Sequence, residues 1–300
     1  HLVLRRQRQM CIRDRTFFGG SDNVQSVDEL DKLLPALTAT YQLNDSMQVR
    51  FGMSETISRP MFREMSPVLF VNFETDRLER GFAGIKSSEI ENLDLRYEWY
   101  FGFDEFLTIS YFEKDFTNPI EQVLEAAATS SYVSYRNALS AELQGAEFEF
   151  QKQFGELIAG FDFFGKINYT MTDSNAVTNP EFITLSSYDD RPLVGQPDDI
   201  FNLQVGYYGS DDSRLSLIYN DVGNRIRELG SDVIPNVMED LPPSLDVVYK
   251  KTYQAFDGSL DLTLKLRNLL EEPYEALQGD KVFETYSSSS SFSIGLKYTY

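Results

Sequence analysis

Apolar and polar residues alternate along most of the chain, the period-two signature of strands with two unlike faces. SLDLTLKLRN puts Leu260, Leu262, Leu264 and Leu266 on one face and Asp261, Thr263, Lys265 and Arg267 on the other. LDLRYEW sets Leu93, Leu95, Tyr97 and Trp99 against Asp94, Arg96 and Glu98, and FNLQVGYY sets Phe201, Leu203, Val205 and Tyr207 against Asn202, Gln204 and Gly206. The pattern predicts eleven strands, near 33–43, 46–57, 86–100, 105–116, 140–154, 157–173, 197–209, 213–227, 241–253, 258–269 and 287–300.

The connections alternate in length. Short turns rich in Gly, Asn and Asp fall at Asn44-Asp45, Gly102-Phe103-Asp104, Gly155-Glu156, Ser210-Asp211-Asp212 and Phe256-Asp257. Long ones fall at 58–85, 117–139, 174–196, 228–240 and 270–286. No proline interrupts a strand centre, where it would delete a ladder hydrogen bond. PIEQVLEAAA (119–128) predicts a short helix inside a long loop, and the serines of 287–291 lead into the last strand.

Short turns alternating with long loops are the rhythm of an outer-membrane barrel. Several strands exceed the roughly 9–11 residues needed to span a bilayer, so their outer ends should stand above it. The polar face, with Asp94, Arg96, Glu98, Glu147, Glu149, Lys265 and Arg267, would line the lumen. A one-residue slip would turn that face to lipid.

Composition narrows the chemistry. The chain has 23 Phe and 17 Tyr but one Trp, a mix that favours strands. No apolar run approaches the roughly 18 residues of a membrane helix. RRQRQMCIRDR (5–15) matches the rest in neither charge nor periodicity and resembles a translated assembly scar; residues 1–15 are set aside and 16–300 treated as one unit. The only His (His1) and the only Cys (Cys11) lie there, so 16–300 can form no Ser-His or Cys-His nucleophile and no thiolate or imidazole metal site. Neither a catalytic residue, a cofactor nor a metal is expected. Residues 1–15 hold five Arg and one Asp, which leaves a charge of −24 on 16–300 and disfavours nucleic acid as a partner. Asp189-Asp190 and Asp211-Asp212 could touch a cation, but paired acids in turns are usually solvated.

At several points the chain resembles the C-terminal half of a TonB-dependent receptor. SRPMFREMSP (58–67) is similar to that family's S-R-P-x-F-R-E-x-x-P stretch, and NALSAELQGAEFEFQKQF (137–154) carries its Asn and Gly-x-Glu pattern. LDLRYEWYF (93–101), TISYFEKDFTNPIEQ (108–122), RPLVGQPDDIFNLQVGYY (191–208), YNDVGNRI (219–226), LDVVYKKTY (245–253) and LKLRNLLEEPY (264–274) follow in the family's order. The resemblance implies an all-β, antiparallel transmembrane barrel of about 22 strands around an N-terminal plug, of which this chain holds about eleven. Alone it would form an open, curved sheet with an unpaired edge. The alternating Phe292, Ile294, Leu296, Tyr298 and Tyr300 resemble the C-terminal signal read by the barrel-assembly machinery.

The function implied is uptake across the Gram-negative outer membrane of a large, scarce ligand such as a siderophore, a cobalamin-like molecule or a glycan. Its partners are outer-membrane lipid and, through the plug, the TonB complex. Arg59, Arg63, Arg191, Arg225 and Arg227 stand near outer strand ends and could hold an anionic ligand bidentately; the alternative is pairing with nearby carboxylates. Phe70, Phe73 and Phe82 could stack on ligand rings or pack locally. A passive porin and, further off, a soluble β-sandwich binding module remain the other readings.

Overall fold

The computed structural model describes residues 2–8, 14–18, 24–28, 32–73, 77–126, 131–180, 191–230, 234–255 and 257–300, with the backbone alone for 2–28, Ala126 and Ala255. In chain order the strands are β1 (Leu2–Arg8), β2 (Asp14–Phe18), β3 (Val24–Asp28), β4 (Leu33–Asn44), β5 (Met47–Ser58), β6 (Leu69–Asn72), β7 (Arg77–Arg80), β8 (Ser88–Gly102), β9 (Glu105–Thr117), β10 (Ile120–Ala126), β11 (Ser131–Asn137), β12 (Ser140–Ile158), β13 (Phe161–Val177), β14 (Asp199–Gly209), β15 (Ser213–Val222), β16 (Arg225–Glu228), β17 (Val237–Asp240), β18 (Ser244–Ala255), β19 (Gly258–Arg267), β20 (Pro273–Gln278), β21 (Lys281–Ser287) and β22 (Ser291–Thr299). One helical turn, α1 (Phe62–Met65), precedes β6.

Twelve strands form a single antiparallel sheet in the order β1-β4-β5-β8-β9-β12-β13-β14-β15-β18-β19-β22. The sheet is open, with β1 and β22 at its edges. Each of the eleven predicted strands has a counterpart in it, although the one expected over 213–227 ends at Val222 and residues 225–228 form β16 in a separate sheet. The twelfth is β1, in the stretch that the sequence reading set aside; it pairs with β4 from Leu2↔Ala39 to Arg8↔Leu33.

Register explains the two faces. Met47, Trp99, Leu107, Phe150, Ile167, Leu203, Tyr219 and Leu245 stand opposite one another across eight successive strands. One residue away, on the other face, runs Gln48, Glu98, Thr108, Glu149, Asn168, Asn202, Asn220 and Ser244. Among the described residues no second layer covers the apolar face: Leu95 keeps 48% of its surface exposed and Leu296 68%. In water, such a wall would lose about 25 cal/mol for each Å² left uncovered. The outward rings gather near the turn ends, where Trp99 meets Phe101 at 5.0 Å and Phe161 meets Tyr207 at 4.8 Å. Tyr298 and Tyr300 extend this girdle at the end of β22, as amphipathic rings do at a membrane boundary.

The polar face is cross-linked. Glu98, 3% exposed, accepts from Gln48, from Arg96 Nε at 3.0 Å and from the Tyr100 hydroxyl at 3.0 Å. Lys166 reaches Glu149 at 3.0 Å, and the Asn168–Asn202–Asn220 ladder continues with amide bonds of 3.3 and 2.5 Å.

Two local expectations are corrected. Residues 120–126 of the predicted 119–128 helix form strand β10, which makes seven pairs with β11 and buries Val123 and Leu124. The turn expected at Gly155-Glu156 lies at Ala159-Gly160. Gly155, at φ +70°, is absorbed as a bulge, so β12 runs on to Ile158. Four of the five long connections also carry strands of their own among the described residues. Strands β10-β11-β7-β6 form one four-stranded sheet and β16-β17-β20-β21 another. A parallel bridge, Val123↔Leu229, ties β10 to the residue after β16. This layer holds much of the buried core, including Leu124, Val133, Val237, Tyr274 and Ala276 in one cluster.

Candidate functional site

The five long loops are tied to one another at the loop end of the wall. In the β5–β8 loop, the SRPMFREM stretch folds into α1, whose Glu64 accepts from its own Met61 amide at 2.6 Å. The Phe82 amide donates to the Glu64 carbonyl at 2.7 Å. Gly81 lies so close that a Cβ there would strike the carbonyl oxygens of Arg63, Glu64 and Ser66. Asn137 ends β11 and binds the first loop in both directions, accepting from Lys86 N at 2.8 Å and donating to Lys86 O at 2.9 Å. It also donates to Asn118 O at 2.8 Å.

Gly145, in the Gly-x-Glu pattern, leaves no room for a side chain between Phe112 and the Met171 carbonyl. These placements give the resembling motifs a structural cause.

A cleft of about 340 Å³ opens where four of the loops converge. Glu64 comes from the first loop; Ile120, Gln122 and Tyr135 from β10 and β11; Val194 and Gly195 from the β13–β14 loop; Arg225, Arg227 and Glu239 from β16 and β17. Main-chain bonds fix the convergence: Gly195 N donates to Ile226 O at 2.7 Å, and Leu124 N to Leu229 O at 2.7 Å.

The structure divides the five candidate arginines. Arg225 and Arg227 line this cleft. Arg225 gives its Nε to Glu239, while Arg227 Nη1 donates to the Tyr274 hydroxyl at 2.8 Å and to Glu284 at 2.7 Å. Arg191 does not face open space. It is 5% exposed and holds Glu121 bidentately at 2.8 and 2.6 Å. The Val194 amide donates to the same carboxylate at 3.2 Å. Arg63 lies 5.9 Å from the Phe70 ring, and Arg59 sits just before α1 with its Nε buried.

Of the loop aromatics, Phe82 packs against the Met65–Ile85–Tyr135 cluster under Arg136, whereas Phe73 is 91% exposed. Asp211 is held by Lys251 and Ser213, and Asp189-Asp190 lie outside the described residues. Sequence reasoning missed Glu64, Gln122, Tyr135 and Glu239, because only the pairing of the loop strands brings them together.

Burial sets the electrostatics of the layer. It raises the Glu64 carboxyl above its usual range. It also lifts the Tyr135 hydroxyl to about 12, helped by the charges of Glu79 and Glu64, and the Tyr274 hydroxyl to about 12, helped by Glu239. A tyrosine whose folded value exceeds its unfolded one binds its proton more tightly when folded. Its contribution is therefore intact below pH 10 and is lost between pH 10 and 12. Alkaline titration followed by phenolate absorbance is expected to show two late tyrosines that disappear in Tyr135→Phe and Tyr274→Phe, with amide exchange in the loop layer accelerating over the same window. Titration of both at ordinary tyrosine values would refute this.

The chain matches the family described as TonB dependent receptor-like, beta-barrel, over residues 13–279. A comparison with curated proteins gives no match. Among solved structures, a mutant ferric enterobactin receptor from Pseudomonas aeruginosa in complex with enterobactin is 17% identical, with a TM-score of 0.53 over 84% of this chain and 37% of that one. The siderophore receptor PiuA from Acinetobacter baumannii is 12% identical, with a TM-score of 0.61 over 94% of this chain and 38% of that one. The outer membrane transporter YddB from Escherichia coli is 10% identical, with a TM-score of 0.60 over 89% of this chain and 40% of that one. The chain thus spans less than half the length of each structure, and at these identities the likeness speaks for the fold. With a family match over most of its length and a wall that is apolar on one side and polar on the other, the chain belongs to the TonB-dependent receptor β-barrel family and is a protein of the Gram-negative outer membrane.

Proposed function

We propose that this chain is the C-terminal part of the barrel of a TonB-dependent receptor that takes up a large, scarce ligand, with the plug and the remaining strands supplied by sequence outside it. The observation that carries the reading is the pair of adjacent rows: one of lipid-facing hydrophobes from Met47 to Leu245, the other of polar residues from Gln48 to Ser244 facing a lumen. The turn end with its aromatic girdle is periplasmic, and the loop layer stands outside the cell. Energy reaches the receptor from the inner-membrane TonB complex through the plug. Phe292, Ile294, Leu296, Tyr298 and Tyr300 form the signal for the barrel-assembly machinery; the first four pair with Leu266, Leu264, Leu262 and Leu260 of β19. The reading of residues 1–15 as foreign to the receptor has in its favour that residues 1–12 lie outside the family match, and against it that the match takes in 13–15 and that β1 pairs with β4.

Uptake by cells carrying the complete receptor separates this from passive diffusion. Accumulation of the cognate ligand is expected to stop when the inner-membrane proton gradient is dissipated or TonB is deleted. Accumulation that continues unchanged would make the protein a porin.

A further inference from the structure

The cleft between the loops has an unusual distribution of charge. Its lining contains two arginines and two glutamates, so it is close to neutral overall. Most of that charge is already engaged. Arg227 is committed to Tyr274 and Glu284, and Glu239 takes both Arg225 Nε and the Tyr274 hydroxyl. The two terminal nitrogens of Arg225 have no hydrogen-bond partner among the described residues. One edge of one guanidinium is therefore available, beside uncharged groups: the Gln122 amide, the Tyr135 hydroxyl and the apolar surfaces of Ile120 and Val194.

We propose that this cleft binds a hydroxylated monocarboxylate, an acidic sugar being the simplest, with the free edge of Arg225 taking its carboxylate. The proposal rests on the uptake reading and names the ligand class it would serve. A planar guanidinium edge matches a carboxylate in two parallel bonds. A single uncommitted cation next to Glu64 and Glu239 favours one negative charge, because a dianion would place its second charge against those carboxylates. The Gln122 amide and the Tyr135 hydroxyl bond to each other, and the amide keeps further capacity for a ligand hydroxyl, while Ile120 and Val194 can cover the C–H face of a sugar; the Tyr135 ring itself is packed into the Met65–Ile85 cluster. At about 340 Å³ the cleft is near the lower end of small-molecule sites, large enough for a sugar unit rather than a macrocycle.

The test uses the complete receptor in detergent, with heat-modifiable migration confirming the barrel, and three probes: D-glucuronate, D-glucose and inorganic phosphate. Saturation-transfer NMR or calorimetry is expected to show glucuronate binding at least about tenfold more tightly than glucose, the worth of one charge-assisted pair. Phosphate should be the weaker anion. Arg225→Lys keeps the charge but loses the fork, and is expected to weaken glucuronate about tenfold or more while glucose is unaffected. Equal binding of glucuronate and glucose, tighter binding of phosphate, no glucuronate binding, or an unchanged Arg225→Lys would each overturn the proposal. None of these would touch the outer-membrane reading, which fails only if the barrel itself does not form.

Discussion

Arg191→Met is expected to destabilise the loop layer by about 3–5 kcal/mol, the cost of leaving one member of a buried ion pair without the other. Glu121 has a side chain only 3% exposed, and its remaining donor is the Val194 amide at 3.2 Å. That single bond cannot replace the two lost with the guanidinium. The partner change, Glu121→Leu, should cost a similar amount because it strands the arginine. Combining the two removes both charges from the interior and is expected to recover most of the loss. Hydrogen exchange in the loop strands, read beside heat-modifiable migration as a measure of the wall, would show this. If Arg191→Met exchanges like the parent, or the double variant is no better than either single one, the pair does not hold the loops together.

The second large effect lies in the wall. Leu95 stands between Phe51 and Tyr111 near the middle of β8, on the exposed apolar face. Leu95→Arg is expected to cost about 2–4 kcal/mol, the penalty for a cation facing lipid near the bilayer midplane. Asp94→Arg places the same group one residue earlier, on the polar face, and should change stability by less than about 1 kcal/mol. Urea titration of folded protein in lipid vesicles measures both. Equal costs at the two positions would mean that the faces are assigned wrongly.

The wall was readable in the sequence because one of its faces is apolar and the other polar, which the proposed lipid and water boundaries require, so each strand alternates over most of its length. The loop strands lack that constraint. β10 is written in good helix formers, Glu121, Gln122, Leu124 and Glu125, and becomes a strand only because β11 pairs with it along its whole length. Gly155 and Glu156 look like a turn, yet Gly155 merely accommodates a bulge while the ladder continues beneath it. The arginines were recognisable as a set, but their partners were not. Glu121 is 70 positions from Arg191, and Glu284 is 57 from Arg227. The cleft was hidden for the same reason, since it is assembled from four loops that only β-pairing brings together.

The interlocking of those loops also bears on how the cell surface is seen from outside. Because β7 pairs with β11, β17 with β20, and Leu229 with β10, the proposed orientation would give the exterior a quilted shield rather than five separate tassels. An immune receptor or a phage tail would meet a conformational mosaic drawn from distant parts of the chain, which a synthetic peptide copied from any single loop could not imitate.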